Sequence, residues 1–298
     1  MDISRTTFCG ANAVEIKTDA LQLIVVTDFG PRIAFLGRPG GKNLLLWEPG
    51  KHTRGEWDLR GGHRVWVTTP MADECEDTYV PDNGPCDLEL LNTGVRVLGA
   101  ECPINATRRG LEIKVVNDTT VSVDNFLVNT GEMLYSGGIW ALTCTLPHEN
   151  AKYVIPVGDG STWDAFTLVN FRTWAGHGEG GLDDHQFAVK NDLFTLSPQG
   201  KENKRMVQSH RGIIAMTNPV DKITFAKRMD FDPAGQYPLN TNTALYVGPD
   251  NFMVEMETMG PERTIKPGQE LHHVETWTLI DAVQPLDDSA DAMALFEQ

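Results

Sequence analysis

The chain is a long series of short apolar runs, each stopped within a few residues by Gly, Pro, Asp or Asn. Such runs fall at 14–17, 21–26, 32–36, 43–47, 95–100, 111–116, 121–128, 139–146, 153–157, 165–171, 193–196, 213–217, 223–227, 244–247, 251–257 and 272–280. Runs this short, bounded by turn formers, predict strands and leave no room for a helical period. The 28 glycines and 17 prolines supply the turns that so many strands need. One helix is predicted, over 290–296, with Ser289 as its N-cap. No internal repeat or low-complexity linker divides the chain. It reads as one all-β domain over residues 1–298, built from two large, mostly antiparallel sheets packed face to face.

Charge narrows the partners. A net charge of −16 gives no basic footprint, so nucleic acid and anionic membrane surfaces are not expected partners. The balance says nothing against a neutral sugar. Five cysteines (Cys9, Cys75, Cys86, Cys102 and Cys144) are odd in number and form no Cys-x-x-Cys pair. Neither a disulfide framework nor a structural zinc site is expected. The first residues carry no apolar signal core, and no apolar run approaches the ~20 residues of a membrane helix. These features read as a cytoplasmic, reducing setting.

The segment Phe252-Met253-Val254-Glu255-Met256-Glu257-Thr258 places two acids on one face of an apolar strand. Met253, Glu255 and Glu257 then point one way, and Val254 and Met256 the other. Adjacent acids among apolar residues are costly unless that face lines a wet pocket. Each also raises the proton affinity of the other, which suits a general base. The alternative is a solvent-facing sheet edge with an apolar back.

Two strand-poor stretches read as functional loops. The first, 48–85, holds Arg60-Gly61-Gly62-His63-Arg64-Val65-Trp66 and Thr78-Tyr79-Val80-Pro81-Asp82-Asn83. The paired glycines permit positive φ or a close backbone approach just before His63. His63, Arg64, Trp66, Tyr79, Asp82 and Asn83 offer donors and acceptors for hydroxyls and rings for sugar C–H faces. The competing reading makes His63 and Arg64 a salt-bridged anchor and Trp66 part of the core. The second stretch, 171–186, brings Trp174 and His177 as further sugar-binding candidates. His177, Asp183, Asp184 and His185 are metal-ligand types, but their spacing fits no defined motif, and no metal is expected.

Several of these segments carry a resemblance. Phe29-Gly30-Pro31-Arg32-Ile33 and Gly41-Lys42-Asn43-Leu44-Leu45 resemble the opening of aldose 1-epimerase (galactose mutarotase) superfamily proteins. Gly61 to Trp66, Tyr79 to Asn83, Val254 to Pro261, Lys266-Pro267-Gly268 and Glu275-Thr276-Trp277 are similar to a poorly characterised bacterial branch of that superfamily.

The resemblance implies a galactose mutarotase-like β-supersandwich with a sugar cleft on one sheet. It implies an aldose 1-epimerase-like isomerase that needs no metal or organic cofactor and acts on a small carbohydrate. A late-strand glutamate removes the anomeric hydroxyl proton in true mutarotases, and Glu257 matches that position. Glu255 has no clear equivalent there. A histidine on a central strand protonates the ring oxygen in those enzymes. The corresponding segment here, Tyr135 to Leu142, holds Trp140 and no histidine. His63 is then expected as the acid, on the opposite side of the anomeric carbon from Glu257. Arg64 would orient a hydroxyl or a carboxylate. His63, Arg64, Trp66, Tyr79 and Glu257 are expected to converge, with Trp140 beside them. Two alternatives stay open: uronate β-elimination with Tyr79, His63 and Arg64, or sugar binding without catalysis.

Overall fold

The computed structural model describes residues 1–68, 80–157, 169–171, 181 and 183–297. Strand takes up 53 % of it and helix 6 %, so the turn-punctuated runs do fold as strands. They form two large antiparallel sheets. The first has 11 strands, in the order Asp2–Phe8, Ala11–Lys17, Gln22–Val26, Arg32–Gly37, Gly62–Thr68, Tyr135–Thr145, Val254–Met259, Thr243–Val247, Asn203–Val207 and Val169–Phe171. The short Arg263–Ile265 strand also pairs with Tyr135–Thr145. The second has 10 strands, in the order Phe187–Lys190, Leu193–Leu196, Lys152–Pro156, Ile213–Asn218, Ile223–Met229, Glu270–Ile280, Thr120–Asn129, Thr107–Val115, Gly94–Cys102 and Asp87–Leu91.

The sheets bury one face each against the other. Val25, Ile33, Val65, Val67, Val254 and Met256 of the first meet Val97, Ile113, Val123, Phe225 and Trp277 of the second in one continuous core. Removing these side chains from water is the main force that holds the layers together. Alternation then hands every second residue of a central first-sheet strand to the outer face, turned away from the second sheet.

Several strands differ from the sequence expectation. Gly62–Thr68 is a central strand, not part of a loop, and Asn203–Val207 is a strand that the apolar runs did not reveal. Both are buried along almost their whole length and carry polar residues on buried positions. A simple apolar/polar alternation is therefore missing from each. The 43–47 run makes only isolated bridges, Leu45 with Thr145 and Trp47 with Gly61.

The helix forms at Ser289–Ala294, slightly earlier than expected. Asp288, not Ser289, is its N-cap, accepting a hydrogen bond from the Asp291 N–H. Its inner residues Ala292 and the following Leu295 pack with Val154, Leu193 and Ile213 on the outside of the second sheet.

Gly61 and Gly62 are demanded by the backbone. Their φ values are 89° and 74°, and a Cβ would lie 2.3 Å from Leu46 O and 2.4 Å from Ile33 O. This tight entry sets the phase of the strand that follows, and hence which of His63 and Arg64 faces outward.

Candidate functional site

The phase of three neighbouring strands builds the site. In register, Trp140 lies opposite Trp66 and Leu142 lies between Arg64 and Glu257, while Cys144 pairs with Glu255. All of these point to the outer face. Trp66, Trp140, Leu142, Met206, Ala244 and Met259 pack there as a cluster, with Trp57 against it. The rings of Trp66 and Trp140 meet edge to face at 5.5 Å, and Trp57 lies 6.0 Å from Trp66.

Glu257 sits within this aromatic floor, fully buried. Its Oε2 accepts from Trp140 Nε1 at 2.7 Å and from Lys204 Nζ at 2.7 Å. Its Oε1 is buried without a hydrogen-bond partner among the described residues. Lys204 Nζ also stands 4.5 Å from the centre of the Trp140 ring, a cation–π contact. Burial raises the Glu257 pKa above the usual carboxylate range, and the Glu255 charge adds to this, while Lys204 and the Trp140 N–H oppose it. The like-charge neighbour is thus a secondary cause, not the leading one.

The reason is that Glu255 has its own partner. Arg64 Nη2 donates to Glu255 Oε1 at 3.0 Å, and Cys144 Sγ lies 3.4 Å from both Arg64 Nη1 and Glu255 Oε1. The Arg64 guanidinium is stacked on Trp66 at 4.2 Å. Next to Glu255 across the sheet is Tyr246, whose hydroxyl donates to Glu202 at 2.5 Å. Two cation–carboxylate pairs, Arg64–Glu255 and Lys204–Glu257, therefore stand side by side on the aromatic floor.

His63 is not in this site. It alternates with Arg64, so its ring points into the space between the sheets, with no exposed surface. There its Nε2 donates to Asn125 Oδ1 at 2.8 Å, and its Nδ1 accepts from Thr143 Oγ1 at 2.9 Å. The Thr143 oxygen in turn accepts from Lys227 Nζ at 3.0 Å. Burial pushes the His63 pKa down to about 3, so the ring is neutral and held on both nitrogens. The sequence expectation of His63 as the acid facing Glu257 is corrected: the two side chains project from opposite faces of one sheet.

The remaining candidates divide. Arg64, Trp66, Trp140, Glu255 and Glu257 share the outer face. Asp82 accepts from Arg32 Nη2 at 3.4 Å and from Trp66 Nε1 at 3.3 Å, so it anchors Trp66 from the side. Asn83 accepts from Arg60 and donates to Glu56 O, tying the Val80–Asn83 turn to the neighbouring loop. Tyr79, Trp174 and His177 lie outside the described residues. Asp184, from the ligand-type set of the second loop, accepts from Asn203 and Gln186. Among the described residues no group of three or more His, Cys, Asp and Glu is placed to hold a metal ion.

Lys204, Tyr246 and Trp57 escaped the sequence reading. Lys204 sits in Asn-Lys-Arg-Met-Val, which reads as polar chain until its pairing with Thr243–Val247 is known. Tyr246 was accessible in principle. The predicted strand 244–247 and the acidic strand are separated by a short turn, so hairpin register places Tyr246 opposite Glu255.

Behind the site lies a second polar group, buried between the sheets. Glu275 accepts from Lys227 at 2.8 Å, Thr258 at 2.6 Å, Trp277 Nε1 at 3.0 Å and Asn125 at 3.2 Å. Thr258 Oγ1 also accepts from His273 Nε2 at 2.8 Å. Burial lowers the His273 pKa to about 4. The Glu275 pKa is about 2: burial alone would raise it, and the Lys227 charge with the flanking histidines more than offsets that.

The shifts of His63, His273 and Glu275 together predict acid sensitivity. Histidines with folded pKa values of about 3 and about 4 contribute stability above the unfolded value near 6.5, and lose it as pH falls toward those values. Glu275 contributes above about 4.5 and loses it as pH falls toward 2. Glu257, with its raised pKa, works the other way. The urea midpoint is expected to fall steadily from about pH 7 to about pH 5, where the two histidines take up protons only on unfolding. A midpoint that stays level over that interval would contradict the assignment of both rings as neutral.

Solved structures now place this architecture. A galactose mutarotase-related enzyme from Lactobacillus acidophilus superposes with a TM-score of 0.59, at 10 % identity, covering 92 % of this chain and 100 % of that one. A galactose mutarotase-like protein from Lactobacillus casei gives 0.59 at 8 % identity, covering 90 % and 100 %. A candidate aldose 1-epimerase from Klebsiella pneumoniae gives 0.58 at 13 % identity, covering 99 % and 86 %. The chain has the galactose mutarotase-like fold. No protein-family profile matches the sequence, and no curated protein matches it. At these identities the likeness is one of fold. Within the mutarotase-like fold, the paired strands Tyr135–Thr145 and Val254–Met259 carry Trp140 and Glu257.

Proposed function

We propose that this chain is a carbohydrate-active protein of mutarotase type, which interconverts the anomers of a small aldose with Glu257 as the base. One observation carries the reading. Glu257 has one carboxylate oxygen held by Trp140 and Lys204 and the other without a hydrogen-bond partner among the described residues, inside a buried aromatic floor. A base needs an oriented carboxylate with one oxygen available and a raised proton affinity, and this group meets all three conditions. Trp66 and Trp140 supply faces for sugar C–H groups, while the Arg64–Glu255 pair offers donors and an acceptor for hydroxyls.

The charge pattern favours a neutral sugar. Arg64 is engaged by Glu255 and Lys204 by Glu257, so neither cation stands ready for a uronate. This also weakens β-elimination, which called on His63 and Arg64. His63 is sealed between the sheets and Arg64 already has a carboxylate partner.

The proposal extends to a single domain working in a reducing, cytoplasmic setting. Cys9, Cys86, Cys102 and Cys144 are free thiols, and no helix among the described residues is long and apolar enough to cross a membrane.

Exchange NMR on a panel of neutral aldohexoses and aldopentoses tests the function. Anomer exchange of at least one sugar is expected to rise in proportion to protein concentration. Exchange at the buffer rate for the whole panel would discard the mutarotase reading. Saturable sugar binding alongside it would leave a binding protein, and an ultraviolet-absorbing unsaturated uronate released from uronate polymers would restore the lyase.

A further inference from the structure

Glu255 stands one pleat repeat from Glu257, on the same strand and the same outer face, and proton transfer at the anomeric hydroxyl does not use it. We propose that Glu255 is the specificity-determining residue of the site: its Oε2 accepts a hydrogen bond from a sugar hydroxyl across the ring from the anomeric carbon, at C3 or C4. The substrate class is then an aldose whose hydroxyl at that position is unsubstituted. This deepens the reading of Glu257 as the base and rests on it for the placing of C1.

Three observations carry it. First, the hydrogen bonds that the described residues make to Glu255 end on one oxygen. Oε1 accepts from Arg64 Nη2 at 3.0 Å and from Cys144 Sγ at 3.4 Å. The guanidinium that holds it is itself stacked on Trp66 at 4.2 Å, so the carboxylate is oriented with Oε2 as its remaining acceptor. A neutral sugar meets an acceptor of this kind with a hydroxyl donor. Second, exposure rises along the strand. Glu257 has none, Glu255 has 7 %, and Tyr246, opposite Glu255, is half-buried with its partner Glu202. The anomeric end of a sugar thus lies at the sealed end of the face, and the far side of its ring lies toward Glu255.

Third, the spacing selects the hydroxyl. Residues two apart on a strand are separated by about 6.6 Å. Hydroxyls on neighbouring ring carbons lie much closer together than that. With the anomeric hydroxyl at Glu257, the C2 hydroxyl stays beside the base, and a hydroxyl on the opposite side of the ring reaches Glu255. The two acids then divide the work: Glu257 takes the proton, and Glu255 fixes how far the ring enters and which substituent it presents. A bulky group on the hydroxyl read by Glu255 removes its donor, so the site is built for a free monosaccharide at that position.

The alternative is that Glu255 only neutralises Arg64, and a cycle between residue and hydroxyl separates the two roles. The probes are the aldose that exchanges fastest and its 2-, 3- and 4-deoxy analogues. A hydrogen bond to a charged group is expected to make wild type prefer the parent sugar over the 3- or the 4-deoxy analogue by about 10- to 10²-fold in kcat/KM. Glu255→Gln leaves an oxygen for Arg64 and presents an amide to the sugar. It is expected to reduce that preference by at least about five-fold, while the preference over the 2-deoxy analogue stays as in wild type. A structural role would slow the parent and all three analogues alike, and that result overturns the proposal. Coupling to the C2 hydroxyl alone overturns it as well.

A second arm uses wild type alone and does not depend on the glutamine variant folding. Fluorine in place of the C3 or C4 hydroxyl cannot donate to a carboxylate, so one of the two fluoro sugars is expected to bind at least about ten-fold more weakly than the parent in titrations followed by NMR. Equal affinity for the parent and both fluoro sugars shows that no acceptor reads these positions and overturns the proposal. This arm measures binding, so it separates the two readings. A wild type that exchanges no aldose, yet binds the parent more tightly than a fluoro analogue, removes Glu257 as the base and leaves Glu255 as the reader of the hydroxyl. An active wild type that is indifferent to both substitutions overturns the Glu255 assignment alone, and a wild type that binds no aldose overturns both.

Discussion

Glu257→Gln is expected to lower the anomer-exchange rate by about 10² to 10⁴-fold while sugar binding survives. The amide retains the size of the side chain, and its oxygen can still accept from Trp140 and Lys204, the contacts that fix Oε2. What it loses is the ability to take a proton at the position of Oε1. The variant therefore separates catalysis from recognition. Exchange NMR reads the first, and saturation-transfer NMR with the same sugar reads the second. Wild-type exchange in the variant would remove Glu257 from the chemistry. The change also leaves Lys204 as a buried cation without its carboxylate, so some loss of stability accompanies it. Comparing the urea midpoint at the assay temperature separates that loss from the catalytic one. A folded, sugar-binding, inactive protein is the diagnostic combination.

The strand pattern explains which parts of this site could be read from the chain. In 252–258 the apolar and acidic residues alternate, so period two alone assigned Glu255 and Glu257 to one face and Val254 and Met256 to the core, as found. At 60–66 the same period is masked, because the double glycine and the His-Arg pair have the character of loop chemistry. Once Gly62–Thr68 is a strand, adjacent residues cannot both face a cleft, and one of His63 and Arg64 must turn inward. The glycine-lined entry and the register with Tyr135–Thr145 select His63. Lys204 lay beyond local reading altogether. Its contact with Glu257 spans 53 residues and depends on Thr243–Val247 lying between their strands. Asp82 carried a signal of the right type but the wrong meaning, since a carboxylate that could bind a hydroxyl is equally able to hold Arg32 and the Trp66 N–H. Burial decides between those roles, and burial is a property of the fold.

Lys227→Met is expected to be among the most destabilising single changes away from the site, at about 3–5 kcal/mol, because it strands Glu275 as a buried charge. Neither side chain of that pair has any exposed surface, and Lys227 is the leading attraction that keeps Glu275 ionised. The pair lies directly behind the acidic strand. Thr258, the residue after Glu257, donates to Glu275, and Thr143, the residue after Leu142, accepts from Lys227. The polar group between the sheets thus fastens the two strands that carry Trp140 and Glu257 from their hidden side. Urea unfolding measures the cost. The deficit is expected to shrink as pH falls from about 7 to about 4, because without Lys227 the folded-state pKa of Glu275 rises and protonation relieves the stranded charge. Lys227→Met combined with Glu275→Gln is expected to recover a substantial part of the loss, since a neutral hydrogen-bonding group then replaces the charge. A single variant as stable as wild type, or a double variant no better than the single, would show that the pair is not what holds these strands. The expected result instead makes the network behind the sheet a structural requirement of the site in front of it, although no residue of that network reaches the face on which Glu257 lies.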